Sequence, residues 1–188
     1  MQLTPESLSI LALCFFIIAV LYSSVGFGGG SSYLALLTLF FASFFVIRSV
    51  ALVCNLIVVS GSTYLYYKNG HFDVKKFIPF VATSIPLAFI GASFRLKEYV
   101  FFIILGVALM TSAILLVTQS IKERQRKTRL TAKKYPIWVT YILGAGIGFL
   151  SGLVGIGGGI FLAPILNHMR WESSIKIAAL ASFFILVN

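Results

Sequence analysis

Charge is scarce in this chain of 188 residues. Asp, Glu, Lys and Arg together make up only 11% of it, and just 5 residues are acidic. A soluble domain carries about 25% charged residues to cover its surface, so the soluble globular class is excluded. Disorder is excluded by the opposite abundance, since 59% of the chain is apolar. Cysteine is nearly absent: Cys14 and Cys54 both lie inside apolar runs. They read as small packing residues, and no disulfide framework can be built from them. No Asp, Glu, Lys, Arg or His falls in the middle of an apolar run. That removes a carboxylate proton relay and the usual metal-ligand and nucleophile–base constellations. No catalytic residue, metal or cofactor is expected, and the chain does not read as an enzyme. His71 and His168 fall between runs and read as solvated. The first seven residues hold no Lys or Arg, and no small-residue cleavage site follows, so a cleaved signal peptide is not expected.

Long hydrophobic runs are what the chain has instead. There is apolar sequence for roughly six or seven helical spans of about 20 residues each, so the fold class is an all-α polytopic membrane protein. The runs are 8–27, 31–47 (closed by Arg48), 49–67, 77–94, 99–118, 136–154, the short 160–166, and a last run to Asn188. The net charge of +10 sits in the gaps between them. It therefore reads as the inside bias of basic loops and not as a nucleic-acid surface. Placing the basic segment Lys122–Lys134 in the cytoplasm puts 12 basic residues inside and 3 outside (Arg48, Arg95 and Lys97), with the N-terminus outside. The organisation expected is a first repeat plus connecting helix over 1–121, a basic cytoplasmic loop over 122–135, and a second repeat over 136–188.

The repeat rests on two motifs. Val25-Gly-Phe-Gly-Gly-Gly30 recurs 129 positions later as Val154-Gly-Ile-Gly-Gly-Gly159. Arg48-Ser-Val-Ala-Leu52 resembles Lys176-Ile-Ala-Ala-Leu180, 128 positions on. Five crossings, an odd number, separate Arg48 from Lys176. The repeats are therefore expected to be inverted, each with a Gly-rich interrupted or re-entrant helix, as in many secondary transporters. The second repeat reads as incomplete, because only 12 residues follow Lys176. The expectation is a fragment, or a protein that has lost its final helices.

Three consecutive glycines in a membrane segment expose N–H groups that helix bonding leaves free, so such backbone must line a protein-buried cavity or water. Glycine permits close approach of a ligand and positive φ. A helix that starts directly after the glycines aims its N–H groups and positive dipole end at the loop, an anion site that needs no cationic side chain. The expected substrate-binding residues are Gly28, Gly29, Gly30 and Ser31 on one loop and Gly157, Gly158, Gly159 and Ile160 on the other. Asn55 joins them as the span residue most expensive to bury. The competing reading is that the glycines serve only tight turns and close packing. Gly144, Gly148 and Gly152, spaced by four, are read that way. The remaining hydroxyls within runs (Ser23, Ser24, Ser32, Ser60, Ser62, Thr63, Ser151, Ser182) read as structural, bonded to helix backbone.

The doubled glycine motif, with Pro164 five residues after Gly159, resembles the sulfite exporter TauE/SafE family of membrane permeases. The stretch Val53-Cys-Asn-Leu-Ile57 through Gly61 and the ending Ala181–Asn188 resemble it as well, so the likeness covers essentially the whole chain. It implies a multi-pass protein of the bacterial cytoplasmic (inner) membrane that transports small sulfur-containing anions such as sulfite or sulfonates. Family members usually continue several dozen residues further. The expected partners are a small anionic substrate and the lipid bilayer, with no nucleic acid and with room for a homo-oligomer. An anion channel on the same loops, or a non-transporting scaffold or assembly factor, are the alternatives.

Overall fold

A backbone surrounded by hydrocarbon must bond its own N–H and C=O groups, which leaves helices as the form for these apolar runs. In the computed structural model, residues 5–40, 43–94, 96–125, 133 and 135–188 are described. They form eight helices: α1 (Pro5–Ser24), α2 (Gly30–Thr38), α3 (Phe44–Lys68), α4 (Val74–Ser93), α5 (Glu98–Gln125), α6 (Ile137–Val154), α7 (Gly159–Met169) and α8 (Ser174–Val187). No strand occurs among the described residues. Five helices, α1, α3, α4, α5 and α6, are long and apolar enough to cross a membrane. Helices α2, α7 and α8, of 9, 11 and 14 residues, are shorter than a bilayer requires.

This corrects the span count and one boundary. The run 31–47 is not a single span. Helix α2 stops at Thr38, where the Leu39 N–H turns back to the Leu36 carbonyl, and α3 begins after Ser43 in extended conformation. The connection is itself apolar, so hydropathy carries no mark of the break. Arg48 consequently lies inside α3, in its second turn, and does not close the preceding helix. His168 likewise lies in the last turn of α7, exposed, and not in a loop. Arg95 and most of the basic segment, residues 126–132 and Lys134, lie outside the described residues.

Each glycine motif is the bend of a hairpin. Helices α1 and α2 fold back on one another, with the Phe15 and Tyr33 rings stacked at 4.7 Å and Tyr22 Oη 2.7 Å from Ser32 Oγ. Helices α6 and α7 do the same, and their free ends meet: Tyr135 Oη donates to the Met169 carbonyl at 2.8 Å, and the Lys133 N–H to the Arg170 carbonyl at 2.9 Å. Just beyond, Glu172 pairs with Lys76, at the start of α4, and with Lys176 at 3.8 Å. The hydrogen bond from Lys76 holds the Glu172 carboxyl below the usual carboxylate range. Three basic segments, around Lys76, Lys133 and Arg170–Lys176, are thereby gathered at one end of the bundle. This is the end at which the second hairpin opens. The first hairpin leads into α3 at Phe44, one full helix away from Lys68 and the loop to α4.

Helices α4 and α6 run side by side in the same direction at very short range. A Cβ added at Gly144, Gly148 or Gly152 would enter the backbone of Phe80, Ser84 or Ala88 respectively, and one at Gly91 would enter that of Phe149. These glycines form the packing face expected from their spacing. Lipid offers helices no hydrophobic incentive to associate, so close backbone contact of this kind is what holds such a pair. Helix α1, by contrast, buries only Leu11.

Candidate substrate site at the paired glycine loops

The two bends, 129 residues apart in sequence, meet at the middle of α3. Asn55 stands there at 2% exposure, and its amide joins them. Oδ1 accepts from the Gly30 N–H at 3.1 Å, and Nδ2 donates to the Ile156 carbonyl at 3.0 Å. One side chain thus satisfies a helix N-terminus on the first loop and an orphan carbonyl on the second. Such pairing offsets the cost of burying a polar group at this depth. Gly28 can only be glycine here, since a Cβ would fall on the Asn55 amide. A third tie comes from α8, where Ser182 Oγ lies 2.8 Å from the Gly26 carbonyl.

The bends are similar but not identical. Gly26 and its counterpart Gly155 both have positive φ, +80° and +65°. Gly29 and Gly157 are the other two in that region, at +80° and +72°. Gly158, at φ −69°, is not, so the need for glycine there is space and not backbone conformation: its Cβ would lie 2.8 Å from Phe184 and 2.9 Å from Ile147. Beyond each bend a short helix begins, α2 at Gly30 and α7 at Gly159. Tyr33, Phe161 and Leu162 N–H groups bond back to Gly29 or Gly158 carbonyls. Those of Ser31, Ser32, Gly159 and Ile160 have no backbone acceptor among the described residues. The positive ends of two helices therefore converge on one region without a carboxylate near them.

Between the loops is a small, partly enclosed pocket of about 10 Å3, room for about one water. It is lined by Phe27, Gly28, Gly29, Gly30, Ser31, Asn55, Ile156, Ile160 and Ile185. Of the residues expected from sequence, Gly28, Gly29, Gly30, Ser31, Asn55 and Ile160 are brought together here. Gly157, Gly158 and Gly159 are not on the wall. They pack against Ile185, Phe184 and Ala181, where they let α8 approach the second loop. Outside Phe27, Ser31 and Ile160 lies a wider open groove of about 510 Å3 between the first hairpin and α5, mostly apolar but lined also by Tyr22, Ser32 and Ser112.

Tyr22, Phe27, Ser112, Ile156 and Ile185 line the pocket or the groove, and Arg48 lies beside the second loop, without having been expected there from the sequence. Tyr22 carried a signal, lying beside Ser23 and Ser24 just ahead of the first motif. Ser112 carried none within its apolar run. Ser23, Ser24, Ser60, Ser62 and Ser182 are bonded to carbonyls three or four residues back, as expected of membrane helices. Ser32 instead pairs with Tyr22 across the hairpin, and the buried Thr63 and Ser151 hydroxyls, also expected to bond helix backbone, have no partner among the described residues.

A match to the family described as sulfite exporter TauE/SafE covers residues 11–188, both glycine loops and all eight helices apart from the start of α1. The chain belongs to the TauE/SafE family. It is also 36% identical over 181 residues to the "Probable membrane transporter protein y4hK" of Sinorhizobium fredii, an alignment that takes in 95% of this chain and 72% of that one. No solved structure matches. Together with the five apolar helices, membership makes this TauE/SafE protein a multi-pass component of a bacterial inner membrane that serves membrane transport.

Proposed function

We propose that this TauE/SafE chain carries small sulfur-containing anions, sulfite or a sulfonate, out of the cell by alternating access at the paired glycine loops. The observation that carries the reading is the Asn55 bridge, which ties the N-terminus of α2 to the second loop beside a small pocket that Ile160, in the first turn of α7, also lines. An oxyanion suits that place, because backbone N–H groups and helix dipoles favour negative charge without a bound cation. The pocket has room for about one water, too little for an oxyanion unless the loops move apart. That supports a carrier that rearranges over a standing open channel. Separation of the loops would connect the pocket to the open groove of about 510 Å3 beside it. No chemical transformation is assigned to the site. Reconstituted vesicles should show saturable sulfite flux and counterflow, in which unlabelled sulfite on one side accelerates uptake of labelled sulfite from the other. Linear, non-saturating flux without counterflow would move the assignment to a channel, and no flux at all would favour a scaffold.

The same reading takes the hairpins 8–48 and 136–176 as inverted repeats, related by a roughly two-fold axis in the membrane plane. It takes the basic end of the bundle as cytoplasmic. Motif identity and the opposite directions in which the two hairpins open support the first point. The excess of 12 basic residues over 3 supports the second. In a background lacking Cys14 and Cys54, a cysteine at position 97 should react with an impermeant thiol reagent in intact cells, and one at position 128 should react only after lysis. The reverse pattern would invert the assignment.

A further inference from the structure

We infer that Arg48 is an anion-recognising residue at the second glycine loop, taking the oxyanion of the substrate as it passes Gly155. The inference rests on the transport reading above. The Arg48 guanidinium occupies the place where a side chain on Gly155 would stand, with Nη2, Nε and Cζ all against that position. On its other side it lies over the Phe101 ring, 5.6 Å from the centroid. It is half-buried, in the second turn of α3, and no carboxylate lies within salt-bridge distance of it among the described residues. Its sequence counterpart Lys176, by contrast, has Glu172 at 3.8 Å. An ionised side chain in a membrane helix is costly unless paired, and such residues face a ligand path or an opposite charge. The aromatic face offsets part of that cost but leaves the hydrogen-bond donors of the guanidinium without a partner among the described residues.

The turn that carries this glycine holds a second polar group without a partner. Ser151 is 1% exposed, its carbonyl accepts the Gly155 N–H at 2.6 Å, and its Oγ has no hydrogen-bond partner among the described residues. Ile156, the residue after Gly155, lines the small pocket. A planar guanidinium with no carboxylate partner among the described residues, set against Gly155 and so one residue along from the pocket that Ile156 lines, suits an oxyanion that can accept two parallel hydrogen bonds. Chloride, a single point, cannot use that fork. The site therefore discriminates by geometry as well as by charge.

The test uses the full chain in nanodiscs, with methanesulfonate as probe. Phenylglyoxal modification of Arg48 is followed by peptide mass analysis, with Arg170 in the same sample as reference. Methanesulfonate should slow modification of Arg48 severalfold, chloride at equal ionic strength should not, and Arg170 should be unaffected by either. In vesicles, R48Q should raise the KM for methanesulfonate or sulfite roughly tenfold, the loss of one charge-assisted contact, and R48K should recover part of it. A merely structural arginine would lower folded yield and leave KM unmoved. Equal modification with and without methanesulfonate, or an R48Q protein with unchanged KM, overturns the inference. Selective protection in a protein that shows no flux would leave Arg48 an anion ligand and overturn the carrier reading instead.

Discussion

Replacing Asn55 with Asp is expected to reduce anion flux at least a hundredfold while preserving side-chain shape. The amide now serves both loops, accepting from Gly30 N–H and donating to the Ile156 carbonyl. An Asp carboxylate keeps the acceptor but turns the donor into a second acceptor that faces Ile156. It also sets a negative charge beside the place proposed for the anion. At about 4 Å and an effective dielectric of about 20, two like charges repel by about 4 kcal/mol. Asn55→Leu removes the charge question and isolates the bridge. It leaves one buried N–H and one buried C=O unpaired, at about 1–3 kcal/mol each, and should appear as a lower melting temperature in detergent. Ser62, buried about two turns further along the same face of α3 and bonded to Val58 within its own helix, supplies the control: Ser62→Ala should change neither measurement appreciably. If Asn55→Asp transports normally at neutral pH and Asn55→Leu melts like the parent, the bridge does not organise the site.

Flux should follow the membrane potential and persist when the pH gradient alone is collapsed. Among the described residues the cavity wall holds no titratable side chain, so a proton relay has no carrier there. Export of an anion needs none. The inside-negative potential drives a single negative charge outward with about 2.3 kcal/mol per 100 mV, roughly a 50-fold concentration ratio, and a dianion with about twice that energy. Arg48 stays charged throughout the accessible pH range, so it adds a fixed attraction and no proton coupling. Vesicles clamped with potassium and valinomycin at constant pH should accumulate or lose labelled sulfite as the imposed potential dictates. Flux that ignores the potential and tracks an imposed pH gradient would point to symport with a proton, or to carriage of the protonated acid itself.

Scarce charge and long apolar runs were enough to determine, without coordinates, that this chain is helical and lives in a membrane, because hydrocarbon tolerates little else. The repeated Val-Gly-x-Gly-Gly-Gly pattern located both bends, since interrupted backbone at that depth needs glycine and a protected cavity. The spacing of Gly144, Gly148 and Gly152 located a packing face, since residues four apart share one side of a helix. Tertiary structure decided what spacing cannot express. The break between α2 and α3 is made of apolar residues, so nothing in hydropathy separates it from a continuing span, and with it went the position of Arg48. Which glycines face the cavity and which face α8 depends on the approach of a helix more than twenty residues away along the chain. That Asn55 serves both loops, and is neither a free ligand nor a simple packing residue, depends on a hydrogen bond spanning 101 residues of sequence. Local pattern records the periodicity of one element. Contacts of that range exist only once the elements are packed, when each buried polar group must find whichever partner the fold has placed within reach.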